Sequence, residues 1–168
     1  MKFQSIKEYF YKLNTIGFIL LLIPLALFIF LYYYAIRHNP PVRDEPTAFV
    51  LLISFSAIGV IEIITVGLLW NARINKIRKY NELASRMDGY FSLMLLKMAI
   101  YCGCFLMMAA GYFLTGNSLF TALFLVVGIL LIFQWPSPSS FCRHFNLQGS
   151  ERDMVIHNRD LYARNRKK

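Results

Sequence analysis

Four long apolar runs carry almost no charge, and no other feature limits the fold of this chain so severely. Ile16 to Ile36 holds no charged residue, Ala48 to Trp70 holds only Glu62, Tyr90 to Leu114 only Lys97, and Ser118 to Trp135 none. An α-helix rises about 1.5 Å per residue, so about 20 residues cross a hydrocarbon core of about 30 Å, with a tolerated range of about 17–25. All four runs fall within it. Inside lipid a helix satisfies its own backbone hydrogen bonds, which an irregular segment cannot do. The expected fold class is therefore an all-α integral membrane protein with four transmembrane helices, at about 16–36, 48–70, 90–114 and 118–135. Composition agrees. Of 168 residues, 57% are apolar and 16% charged, against about 45–50% and about a quarter in soluble domains.

The first run follows the basic residues Lys2, Lys7 and Lys12, as a signal peptide would. It is longer than the apolar stretch of about 7–15 residues in such peptides, and no A-x-A-like cleavage site follows Tyr32-Tyr33-Tyr34. It reads as a retained span that stops at Arg37-His38-Asn39-Pro40-Pro41, with a modest kink expected at Pro24. Aromatic residues mark the boundaries, where a ring with a polar tip favours headgroup depth: Tyr9, Phe10 and Tyr11 before the first span, and Trp70, Tyr90 and Trp135 at the others.

Orientation follows from lysine and arginine. Lys2, Lys7 and Lys12 precede the first span. Arg73, Lys76, Arg78, Lys79 and Arg86 lie between the second and third, and seven more follow Trp135. The opposite side holds only Arg37 and Arg43, next to Asp44 and Glu45, and the Thr115-Gly116-Asn117 loop holds none. The positive-inside rule puts both termini and the 71–89 loop in the cytoplasm. The formal net charge of +9 thus sits where cations act as topogenic signals and meet anionic headgroups. It forms no basic domain of the kind nucleic acid would need.

Three segments occupy that side. In the leader, Phe3, Ile6, Phe10 and Leu13 recur at helical spacing between lysines, an amphipathic N-terminal foot expected to lie on the inner leaflet before turning into the first span. Ile74, Ile77, Tyr80, Leu83 or Ala84, and Met87 continue a helical apolar rhythm past Trp70. The second helix should then run on into the cytoplasm and break near Gly89. That stripe needs a cover, and the tail is the nearest. The domain plan is thus a transmembrane domain over 1–135, with a helical loop at 71–89, and a basic cytoplasmic tail over 136–168. The tail opens with the turn-rich Pro136-Ser137-Pro138-Ser139-Ser140, and Phe141, Phe145 and Leu147 follow as an apolar edge. Ser150-Glu151-Arg152-Asp153 has the form of a capping box and predicts a short helix from about 151. Its apolar face would be Met154, Val155, Leu161 and Tyr162.

Ionisable groups inside a membrane are costly and are functional suspects by default. Glu62 lies eight residues before Trp70, and Lys97 seven after Tyr90, so both sit about 10–12 Å from the cytoplasmic boundary. On antiparallel neighbours at equal depth they are expected to pair. Lys97, Tyr101, Cys104, Met108 and Gly111 share one stripe, and Ser56 and Gly59 lie on the Glu62 side of the second span. Ser56, Tyr101 and Cys104 are the polar residues beside the pair. The pair has two readings: a register device between helices, or a carboxylate that couples to a proton or cation when the pair opens.

Other chemistry finds little support. Cys102, Cys104 and Cys142 form no CxxC or four-ligand pattern, and His38, His144 and His157 are scattered. No metal site or cofactor is expected. No Ser–His–Asp grouping, phosphate loop or paired carboxylate is present, so no enzyme is expected. The expected function is a non-enzymatic accessory, scaffold or assembly protein of a bacterial inner membrane. Its lipid- or partner-facing basic residues would be Lys2, Lys7, Lys12, Arg73, Lys76, Arg78, Lys79, Arg164, Arg166, Lys167 and Lys168. The expected partners are the bilayer, anionic headgroups, and a protein partner or a second copy. The alternative is a small ion- or proton-coupled transporter or channel, working as a homo-oligomer through Glu62 and Lys97.

Overall fold

The computed structural model describes residues 5–38, 40–42 and 44–157. Among the described residues six helices follow in chain order: α1 (Ile6–Arg37), α2 (Glu45–Ile77), α3 (Leu83–Thr115), α4 (Leu119–Phe133), α5 (Pro138–Phe145) and α6 (Gly149–Ile156). The described residues contain no strand. Three helices, α1 to α3, are long and apolar enough to cross a membrane, and α4 with α5 makes a fourth if that bent pair counts as one span. At 32 to 33 residues, α1 to α3 each extend about 48–50 Å, well beyond a hydrocarbon core of about 30 Å. At 15 residues, α4 extends only about 22 Å. Half of the apolar window of α3 is buried within the chain, against 17% for α1 and 11% for α2, so α3 is the hub of the packing.

The chain divides into two compact units, one of 1–18, 69–96 and 135–168, the other of 19–68 and 97–134. The first unit is built on an apolar cluster. Ile6, Tyr9, Phe10 and Leu13 of α1 enter it with Ile74 and Ile77 of α2, Met87, Tyr90, Phe91 and Met94 of α3, and Phe141, Phe145, Leu147 and Val155 of the tail. The tail thus covers the Ile74–Ile77–Met87 stripe, as the apolar rhythm of that segment requires. Each fully buried Phe or Leu stabilises such a cluster by about 1.5–3 kcal/mol. Polar contacts tie its parts together. The Tyr9 hydroxyl donates to the Met87 carbonyl at 2.9 Å, and Trp135 Nε1 donates to Asn14 Oδ1 at 3.1 Å. Arg86 and Glu151 form an ion pair at 3.6 Å.

Several elements differ from the sequence reading. The leader does not turn. Ile6 to Leu13 belong to the same continuous helix as the first apolar run, because their apolar face has the α2, α3 and tail residues to pack on. The helix also passes through Pro24. The α2–α3 connection falls at 78–82, not near Gly89, which lies within α3. There a Cβ would lie 3.1 Å from Ile77 Cγ1 and Cγ2, so glycine permits the return of α3 beside α2. Tyr80 in the turn is 40% exposed and is not part of the stripe.

The tail forms two helices. Ser137 caps α5, its hydroxyl accepting from Ser140 N at 3.1 Å with proline in the first turn, so a segment read as a turn starts a helix. Asn146 takes a left-handed conformation (φ 50°) at the C-cap of α5 and reverses the chain. α6 begins after Gln148 and no side chain caps it. Ser150 therefore lies inside the first turn and the capping box is not used. Phe3, Lys2, Leu161, Tyr162, Arg164, Arg166, Lys167 and Lys168 lie outside the described residues.

In the second unit, aromatic rings fill the core. Phe28 stacks on Phe124 at 4.3 Å and Tyr32 on Tyr112 at 5.2 Å, while Phe105 meets Phe124 at 4.7 Å. The Phe120 ring lies directly on the backbone of Gly111. At the start of α2, Asp44 Oδ2 accepts from Thr47 N at 3.2 Å, and the Thr47 side chain, helped by backbone donors, holds the Asp44 carboxyl below the usual carboxylate range.

Candidate functional site

The polar residues of the second unit converge on α2 and α3. Glu62 is half-buried, and its Oε2 accepts from the Cys104 thiol at 2.8 Å. Two small residues make the approach possible. A Cβ on Gly103 would lie 3.8 Å from Glu62 Oε1, and a Cβ on Gly59 would lie 2.9 Å from Met108 Cε. The Gly59–Glu62 side of α2 therefore faces the Cys104–Met108 side of α3. Ser56, one turn before Gly59, is half-buried.

Lys97 and Tyr101 occupy the same stripe nearer the start of α3. Lys97 is buried, at 8% exposure. Tyr101 is buried as well, and its hydroxyl donates to Gln134 Oε1 at 3.3 Å, so it turns to the end of α4. The partner that the geometry gives the Glu62 carboxylate is Cys104, seven residues beyond Lys97. A thiol that donates to a carboxylate in an apolar setting lowers the cost of burying that oxygen.

No known protein family, curated protein or solved structure matches the chain. Any chemical assignment therefore rests on the residues themselves. Among the described residues, no group of three or more His, Cys, Asp and Glu is placed to hold a metal ion. Cys102, Cys104 and Cys142 are free thiols.

The basic residues in the described part of the first unit are outward, except the half-buried Arg86 that pairs with Glu151. Lys7, Lys12, Arg73, Lys76, Arg78 and Lys79 are all exposed. Lys12 pairs with Glu8 one turn away on α1. Arg78 does more than face solvent, since its Nε donates to the His144 carbonyl at 2.6 Å and fastens the end of α5. Two features of this unit are not legible as periodicity. One is an aromatic cluster in which Trp70 meets Tyr90 at 5.8 Å and His144 at 5.1 Å. The other is Cys142, buried against the tail helices, whose thiol is pushed up by burial and pulled partly back by the Arg152 guanidinium.

Proposed function

We propose that the protein is a non-enzymatic accessory or scaffold protein of a bacterial inner membrane. It crosses the bilayer four times, with α4 as the last passage, and its termini, the 71–89 segment and the tail helices lie in the cytoplasm. The reading rests on one observation. Three basic segments far apart in sequence pack into one apolar-cored unit while their described lysines and arginines, Arg86 apart, stay exposed. A folded basic lobe beside a membrane suits an acidic protein surface or anionic headgroups. A reporter enzyme active only in the periplasm should be silent when fused after Lys168 and active when inserted between Gly116 and Asn117. The reverse pattern refutes the orientation and with it the proposal.

The Glu62–Cys104 contact favours a second reading, a homo-oligomeric ion- or proton-coupled transporter in which Glu62 is the coupling carboxylate and Lys97 its counter-charge. Its test is a charge series in proteoliposomes. Loss of a pH-driven flux in a stable Glu62→Gln/Lys97→Met protein supports transport. If Glu62→Gln destabilises the protein and the double variant restores it, the two residues form a register device.

A further inference from the structure

The two tail helices carry their polar residues in matching stripes. On α5 and its cap, Ser139, Arg143 and Asn146 fall at i, i+4 and i+7, one face of the helix. On α6 and its cap, Gln148 and Arg152 fall at i and i+4. The left-handed Asn146 folds α6 back, and the two stripes become the walls of one open groove, with Cys142 and Leu147 buried at its base. The groove holds about 520 Å³, within the range of about 300–1,000 Å³ that small-molecule sites occupy. Both arginines are exposed, and neither is in an ion pair among the described residues. The nearby Glu151 is engaged by Arg86. The groove therefore presents two guanidinium groups, a hydroxyl and two side-chain amides, and no carboxylate lines it.

We propose that the groove between α5 and α6 binds the phosphate group of an anionic phospholipid. Guanidinium forks match phosphate oxygens in pairs, and hydroxyl and amide donors fill the remaining acceptor positions. The lipid is the favoured source of the phosphate because of where the groove falls in the chain. α4 ends on the exposed apolar residues Ile132 and Phe133, and Ser139 lies only six residues beyond Phe133. A groove that opens so soon after an apolar helix end sits at headgroup depth. The inference deepens the proposed function, since it needs the first unit to lie against the bilayer surface, and it names arginines absent from the sequence-derived basic set.

The experiment uses the full-length protein in detergent at physiological salt or above, where screening shortens diffuse attraction. Binding of single phosphatidylglycerol molecules is followed by native mass spectrometry, with phosphatidylcholine as the zwitterionic comparison. Wild type should take up one phosphatidylglycerol in preference to phosphatidylcholine. Arg143→Gln/Arg152→Gln should weaken that adduct at least about tenfold, whereas Arg73→Gln/Lys76→Gln, which removes the same charge elsewhere, should weaken it less than about threefold. Arg143→Lys/Arg152→Lys keeps the charge without the forks and should recover only part of the affinity, which also guards against misfolding of the glutamine variant. Equal losses from the two glutamine pairs overturn the groove but leave a diffuse basic surface standing. Full recovery in the lysine variant overturns recognition by the guanidinium pair. Displacement of the lipid by inorganic phosphate at equal concentration assigns the groove to a soluble phosphate and overturns the lipid assignment. If wild type binds the two lipids alike the groove proposal fails, while the orientation stands or falls by the reporter fusions.

Discussion

Gly111→Ala isolates the tightest contact in the second unit. A Cβ at Gly111 would lie 2.4, 2.6 and 2.7 Å from Cε1, Cζ and Cδ1 of Phe120. The ring has little room to retreat, because Phe120 is fully buried with Phe55 edge-on at 6.1 Å. Overpacking of this kind costs about 1–3 kcal/mol. Alanine also returns about 1 kcal/mol of helix propensity over glycine, so the net loss is about 0–2 kcal/mol. Gly67→Ala supplies the reference, because it makes the same change within α2 and nothing lies within 4 Å of its Cβ. Propensity cancels in the comparison, and the two alanine variants should differ by the clash alone, about 1–3 kcal/mol. Reversible unfolding in mixed micelles, read by loss of helical circular dichroism, measures both. Phe120→Leu combined with Gly111→Ala should recover part of the loss, a coupling that a double-mutant cycle exposes. If Gly111→Ala is as stable as Gly67→Ala, the α3–α4 contact described here is wrong.

Three further outcomes follow from the first unit. Tyr9→Phe removes the hydroxyl that reaches the Met87 carbonyl and should lower stability by about 1 kcal/mol, seen as a lower thermal midpoint in detergent; no shift means that the bond contributes nothing. Phe141→Ala empties a fully buried site of the cluster and should cost about 3–5 kcal/mol. It should also release the tail helices, so that trypsin cuts after Arg143 and Arg152 much sooner than in wild type. Cys142 should react slowly with a maleimide at neutral pH, because the reagent attacks the thiolate and burial raises the thiol. The rate, resolved by peptide mass spectrometry, should keep climbing above the ordinary thiol range. Arg152→Gln should slow it at fixed pH by removing the cation that pulls the thiol down.

The long helices were legible because hydropathy is a one-dimensional signal that lipid enforces along the whole segment. The stripe Ile74, Ile77 and Met87 was legible for a related reason, since an apolar face beyond the membrane must find a cover, and the tail supplied it. The breaks were harder to read. Gly89 looks like a stop in sequence, yet it is a point of close approach to Ile77, and the chain turns at 78–82, where polar residues crowd together. Ser150 with Asp153 looks like a cap, but Asn146 sets where α6 starts by reversing the chain after α5. Local motifs were outvoted by the packing of Phe141, Phe145 and Val155, whose burial outweighs the roughly 1 kcal/mol of a cap.

The contact made by Glu62 follows from a helix register that depth counting misses. Counting from Trp70 and Tyr90 as boundaries would put Glu62 level with Lys97. The contacts set another register: Gly59 of α2 faces Met108 of α3, and Gly103 faces the Glu62 carboxylate, so Glu62 lies opposite the turn that carries Cys104, and there it meets the thiol. Cys104 lies seven residues, about 10 Å of rise, beyond Lys97, farther than the lean of a glutamate side chain toward its helix N-terminus reaches. The two glycines complete the fit: Gly103 opens the space beside Oε1, and Gly59 lets Met108 approach α2. Cys104→Ala tests the point here, since it should leave the Glu62 carboxylate short of a donor and destabilise the protein by about 1–3 kcal/mol. Glu62→Gln in the same background should cost less than the sum of the two single changes if the contact is as described.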